Sequence, residues 1–99
     1  MKMKECSSLE EVRNEVDKLD DEIVKLIAMR NAYIHQAVRF KQSVEEVKAE
    51  ERVNEVLQRV RHNALALGMS PNMITNLYTK MIDEMVESEI AEFRDRGAL

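Results

Sequence analysis

The stretch from Leu9 to Lys41 constrains this chain more than any other. Its apolar residues Leu9, Val12, Val16, Leu19, Ile23, Leu26, Tyr33, Ala37 and Phe40 step by threes and fours. That spacing is a heptad seam, the pattern of a long helix packing lengthwise on partner helices. The position due between Leu26 and Tyr33 is Arg30. A guanidinium in a seam is costly to bury without an anionic partner. No acidic residue stands one turn before it (Leu26, Ile27) or one turn after it (Tyr33, Ile34). Arg30 therefore either pairs with a carboxylate distant in sequence or belongs to a site built for an anion from outside.

Three turns on, the same face carries Lys41. Eleven residues at about 100° each leave the two only about 20° apart in azimuth and about 16 Å apart along the axis. Ile34 and the small Ala37 lie between them, leaving room for a compact ligand. The plainer reading makes Arg30 a buried ion-pair residue and Lys41 a solvated one.

The rest of the chain reads as helix too. Residues 1 to 7 form a short disordered lead. Ser8 and Glu11 fit a capping box, opening a first helix that runs to about Gln42, roughly 50 Å. The segment Ser43 to Lys48 loses the seam and reads as a mobile connection, although Ser43 and Glu46 fit a second box. A second helix over about 49 to 67 carries Val53, Leu57, Val60, Ala64 and Leu67 on one stripe. Gly68 suits its closing left-handed position. Ser70 and Pro71 suit the N-cap and first turn of a third helix ending near Arg94 to Gly97. Its apolar face includes Ile74, Leu77, Met81, Met85 and Phe93, with Ile82, Val86 and Ile90 beside it.

With 99 residues, two Gly, one Pro and no Trp, the chain is expected to be a single all-α domain over 1–99. A first helix about twice the second does not close a monomeric bundle. The expectation is an intertwined homodimer. The net charge of −4 argues against nucleic acid as a partner. No apolar run approaches a membrane span, and no signal peptide is visible, so the expected location is cytoplasmic. The single Cys6 allows no disulfide framework and no thiolate cluster.

Two further polar residues stand out. Glu89 lies on the line Ile82, Val86, Glu89, Phe93, where desolvation raises a carboxyl pKa and lets it hold a proton as a donor. Alternatively it sits at the edge of the stripe and points to water, as Glu84, Glu87 and Glu92 are expected to do. Arg13 lies beside the seam, about 25 Å along the axis from Arg30. The two reach one small molecule only if Arg13 comes from an antiparallel partner chain; otherwise it is an ordinary helix arginine. His35 and His62 read as solvated or packed residues, and the methionines as fillers of core and interface gaps. There is no Gly-rich phosphate loop, no G-x-S-x-G and no H-E-x-x-H. What remains is a site with cations and one neutral acid, suited to a small dianion and calling for no metal or cofactor.

These residues resemble the small all-helical chorismate mutases, and within them the isochorismate pyruvate-lyase branch that makes salicylate. The likeness rests on Val12-Arg13, Asp17-x-x-Asp20 followed by Ile23-Val24, Arg30, Tyr33, Arg39-Phe40-Lys41 and Glu51-Arg52-Val53. It covers nearly the whole chain. It implies an intertwined helical dimer with two equivalent sites. It implies that Arg30 binds the side-chain carboxylate of chorismate or isochorismate, and that Arg13 of the partner subunit binds the ring carboxylate. Lys41 and Glu89 would donate to the breaking ether oxygen. Glu51 would face the ring hydroxyl, and Lys48 would be the nearby cation of the connecting segment. Many bacterial mutases carry Gln at the position of Glu89, while some fungal ones resemble this chain there. A typical mutase also has arginines before and just inside the second helix; here the segment reads Val47-Lys48-Ala49-Glu50, as in the lyase branch. The expected activity is chorismate mutase, with isochorismate pyruvate-lyase as the alternative. A non-catalytic helical dimerisation module is the rival outside enzymology.

Overall fold

The computed structural model describes residues 3–97, so Met1 and Lys2 of the expected lead lie outside the described residues. The regular structure among those residues is entirely helical: α1 Leu9–Val38, α2 Val44–Lys48, α3 Glu50–Ala66 and α4 Pro71–Gly97. Three helices are long, and α1 is the longest at 30 residues. The chain is all-α, as its composition and periodicity require. By their contacts the residues form two compact units, Met1–Tyr33 and Ile34–Leu99.

The first unit is the greater part of α1 with its lead. Ser8 Oγ accepts the Glu11 N–H at 3.1 Å. The Glu11 carboxylate reaches back to the N–H of Ser7, at 2.6 Å, rather than to that of Ser8. Lys4 Nζ stands 3.7 Å from both Glu11 and Glu15. The heptad seam lies open along this unit: Ile23 is 52% exposed and Leu26 59%. Apolar side chains of this size gain about 1.5–3 kcal/mol each on full burial, so this face is left uncovered by the single chain.

The second unit holds the end of α1 and the other three helices. α3 and α2 both pack on α4. Its core draws on each of them: Val38, Val47, Ala64, Ile82 and Met85 are buried. The turn from α3 to α4 follows from Gly68, which takes φ +73°. The Met69 N–H bonds Ala64 O at 2.8 Å and the Gly68 N–H bonds Leu65 O at 3.1 Å. This pair of bonds satisfies carbonyls that the helix end would otherwise orphan. Ser70 Oγ then accepts the Met73 N–H at 3.3 Å, and Pro71 opens α4.

Two sequence expectations are corrected here. The first helix ends at Val38, not near Gln42. The N–H groups of Arg39, Phe40 and Lys41 bond carbonyls three residues back, at 3.0–3.2 Å, tightening the last turn. Val38 thereby enters the core, and Phe40, expected on the seam, is 80% exposed. The segment from Ser43 to Lys48 is not an irregular connection: it forms α2. Ser43 Oγ accepts the Glu46 N–H at 3.1 Å, and the Glu46 carboxylate accepts from the Gln42 N–H. The capping chemistry read in the sequence is strong enough here to fold its own turn. Val47 seals it into the core. No described helix is long and apolar enough to cross a membrane.

Candidate active site

The singled-out residues of the second unit are carried by four different pieces of backbone. Glu89 comes from α4 and is 6% exposed, a buried charged side chain on the line of buried Ile82 and half-buried Val86 and Phe93. The periodicity places it there: residues 82, 86, 89 and 93 recur on one helix face. It does not point to water.

Lys41 is half-buried in the turn after α1. Because α1 stops at Val38, the helical register that would align Lys41 with Arg30 ends before Lys41 is reached. Lys41 instead borders a cavity of 430 Å³ with Glu51, Glu50 and Arg52. Arg52 Nη1 is 3.3 Å from Glu55, which also lines that cavity. Lys48 lines a second cavity, of 560 Å³, against Ile82, Val86 and Ile90 of α4. So the fold brings Lys41 and Glu51 to one cavity and Lys48 to the other.

Glu50 borders both cavities, a position the sequence reading passed over. It sits one residue from Glu51 in a helix start, and no spacing rule separates two adjacent carboxylates there. The backbone separates them. Ala49, between α2 and α3, takes φ 45° and ψ 53°, the left-handed region that a residue with a Cβ enters at a cost. It ends α2 by donating its N–H to Glu45 O at 3.0 Å and starts α3 by accepting from Val53 at 2.9 Å. That kink immediately precedes Glu50. It was not foreseen either, because nothing in the local sequence marks Ala49 as the pivot.

Arg13 and Arg30 belong to the first unit. Arg13 is exposed and Arg30 half-buried. Beside Arg30, Asn31 Oδ1 is buried without a hydrogen-bond partner.

His35 corrects the reading of it as solvated or simply packed. Its Nδ1 lies 2.5 Å from Glu92 Oε2, and its Nε2 lies 3.3 Å from Ser88 Oγ. Glu92, expected on a solvated face, is therefore engaged, and it also meets Arg96 Nη2 at 3.1 Å. The Glu92 carboxyl is held below the usual glutamate range, first by the hydrogen bond from His35, against the opposing effect of burial, and further by the charges of His35 and Arg96. His62 is exposed.

The second unit thus carries a buried acid on α4 and two separate hollows, a largely charged one bordered by Lys41 and a more apolar one bordered by Lys48. Either hollow can take a small polar molecule beside a cation. The type II chorismate mutase family model matches residues 12–90, a span that includes Arg13, Arg30, Lys41, Lys48, Glu51 and Glu89. The chain belongs to the type II chorismate mutase family. An isochorismate pyruvate lyase from Pseudomonas aeruginosa is 30% identical to it over 95 residues, covering 95% of this chain and 94% of the relative. A chorismate-mutase-type enzyme with a small-molecule substrate is thereby established at the level of the family. The resemblance read from the quoted residues, including its lean toward the lyase branch, holds.

Proposed function

We propose that this protein is a chorismate mutase, converting chorismate to prephenate as a homodimer in the cytoplasm. The observation that carries the reading is buried Glu89, set in a family whose model spans it. The reaction breaks an ether bond and builds negative charge on its oxygen. A donor preorganised at that oxygen acts where the charge develops, and loss of one such donor typically costs about 3 kcal/mol of transition-state stabilisation. In this proposal Lys41 and Glu89 are the two donors. Glu89 donates only while protonated, a state that desolvation favours. Arg30, and Arg13 of the partner subunit, bind the two carboxylates and hold the side chain over the ring, an orientation contribution. Lys48 adds a cation, and Glu51 faces the ring hydroxyl. A pericyclic shift of this kind has no need of a nucleophile or cofactor.

A second reading is isochorismate pyruvate-lyase, releasing salicylate and pyruvate through the same donors. The named Pseudomonas relative supports it, as does the segment Val47-Lys48-Ala49-Glu50 without arginine. A paired assay from pH 4 to 9 separates the readings. Chorismate loss is followed by absorbance and salicylate formation from isochorismate by fluorescence. Chorismate turnover that is strongest at low pH supports the mutase. Dominant salicylate release transfers the assignment to the lyase. No turnover of either substrate returns the chain to a non-catalytic dimerisation module.

A further inference from the structure

The two proposed donors sit on different helices. Glu89 is fixed to α4, and Lys41 hangs from the turn that ends α1. Their relation to each other depends on how the last turns of α1 seat against α4. One side chain bridges that seam with two contacts. The imidazole of His35 spans a full turn of α4, with Nε2 3.3 Å from Ser88 Oγ and Nδ1 2.5 Å from Glu92 Oε2. Ser88 and Glu92 flank Glu89 in sequence, one residue before it and three after it.

We propose that His35 is a positioning residue for the reaction, clamping Ser88 and Glu92 so that Glu89 is held in register with Lys41. The inference rests on the proposed function. Two contacts on one rigid ring resist both rotation and axial sliding of α4, which one contact does not. The lever arm is short but sufficient. A rotation of about 10° moves a carboxyl about 5 Å from the helix axis by almost 1 Å. A misplacement of about 1 Å can cost up to about 100-fold in rate. Glu92 accepts, so Nδ1 carries a proton, and the Ser88 hydroxyl, able to donate or accept, meets Nε2. The charged groups facing the ring are Glu92 and, through it, Arg96, both on α4. Neither Ser88 nor Glu92 lines either of the two cavities described above, and the effect of His35 is assigned to Glu89 between them.

The test is steady-state kinetics on chorismate and on isochorismate for His35→Ala, Glu92→Ala, the double variant and Ser88→Ala, each with a thermal melt. His62→Ala, on the exposed face of α3, is the control and should match wild type. The expected result is a kcat about 10-fold lower for His35→Ala and Glu92→Ala, with KM within about twofold. The double variant should fall no further than either single one, because both remove the same clamp. The ratio of variant to wild-type kcat should stay constant from pH 6 to 9, whereas a histidine exchanging protons with substrate would make it change. If His35→Ala does not fold, His35→Gln and the exposed Ser88→Ala decide, with about a threefold loss expected for Ser88→Ala. Folded variants with wild-type kcat, or with an effect confined to KM, overturn the positioning role alone. A wild type that turns over neither substrate overturns the proposed function and this inference together.

Discussion

Glu89 is where burial and chemistry meet in one side chain. It is 6% exposed, and its carboxyl can donate only while it holds a proton. Turnover is expected to decline as pH rises and Glu89 ionises. Glu89→Gln, whose amide donates at any pH, should keep activity at high pH and flatten the profile; a profile unchanged by that substitution would remove Glu89 from the donor role. Lys41→Ala should lower turnover by at least about 100-fold while the oligomer persists. Near-normal turnover in that variant would sink the assignment. Glu92 offers a stability test with a definite sign. Its folded-state carboxyl lies below the ordinary value of 4.5, through His35 first. A depressed carboxylate contributes stability that is fully present above its unfolded value and lost as pH falls through its folded value. A melting-temperature gap should thus separate wild type from Glu92→Gln at neutral pH. It should close below the ordinary glutamate range, a trend circular dichroism melts from pH 7 to 2 would follow.

At the scale of elements, the helix ends decide where the site residues go. Three serine caps, at Ser8, Ser43 and Ser70, set the starts of α1, α2 and α4. Gly68 closes α3, and a Cβ placed on it meets nothing within 4 Å. The expected loss for Gly68→Ala is therefore the backbone term alone, about 1 kcal/mol by urea denaturation. A loss of several kcal/mol would mean that packing, not conformation, selects glycine there. Ala49 is the opposite case, a residue with a Cβ held at φ 45°. Ala49→Gly should raise stability by about 0.5 kcal/mol, since relief of the left-handed strain slightly exceeds the added freedom of the unfolded chain. The capping boxes were legible because hydroxyl and carboxylate sit at fixed offsets from the N–H groups they satisfy. The pivot at Ala49 was not, because tertiary packing of Val47 and the helices around it imposes it on an ordinary alanine.

For the molecule as a whole, the exposed seam of α1 is the outstanding feature. Leu9, Val12, Val16, Leu19, Ile23 and Leu26 are all exposed in the single chain. A row of this length exceeds the scattered apolar residues of a normal surface and fits a self-complementary interface. A homodimer through this face would bring Arg13 across to a partner site. Ile23→Glu, at the middle of the seam, is expected to convert a dimer to a monomer in analytical ultracentrifugation. Activity should fall with it, because Arg13 is then lost from the site. A wild type that sediments as a monomer, or an active monomeric variant, would end the proposal of a shared site.

The sequence by itself determined the three long helices and the serine caps, because both depend on short-range spacing: apolar residues every three or four positions, and cap oxygens three residues from their N–H groups. It left Glu89 between burial and the water-facing edge of its apolar line, and the packing of the second unit decided for burial. Only the tertiary structure decided that α1 ends at Val38. Closing the core with Val38 outweighs one further turn of a helix whose next seam residue, Phe40, finds nothing to pack on in this chain. It alone joined His35 to Ser88 and Glu92, 53 and 57 residues away, a meeting that no local periodicity encodes.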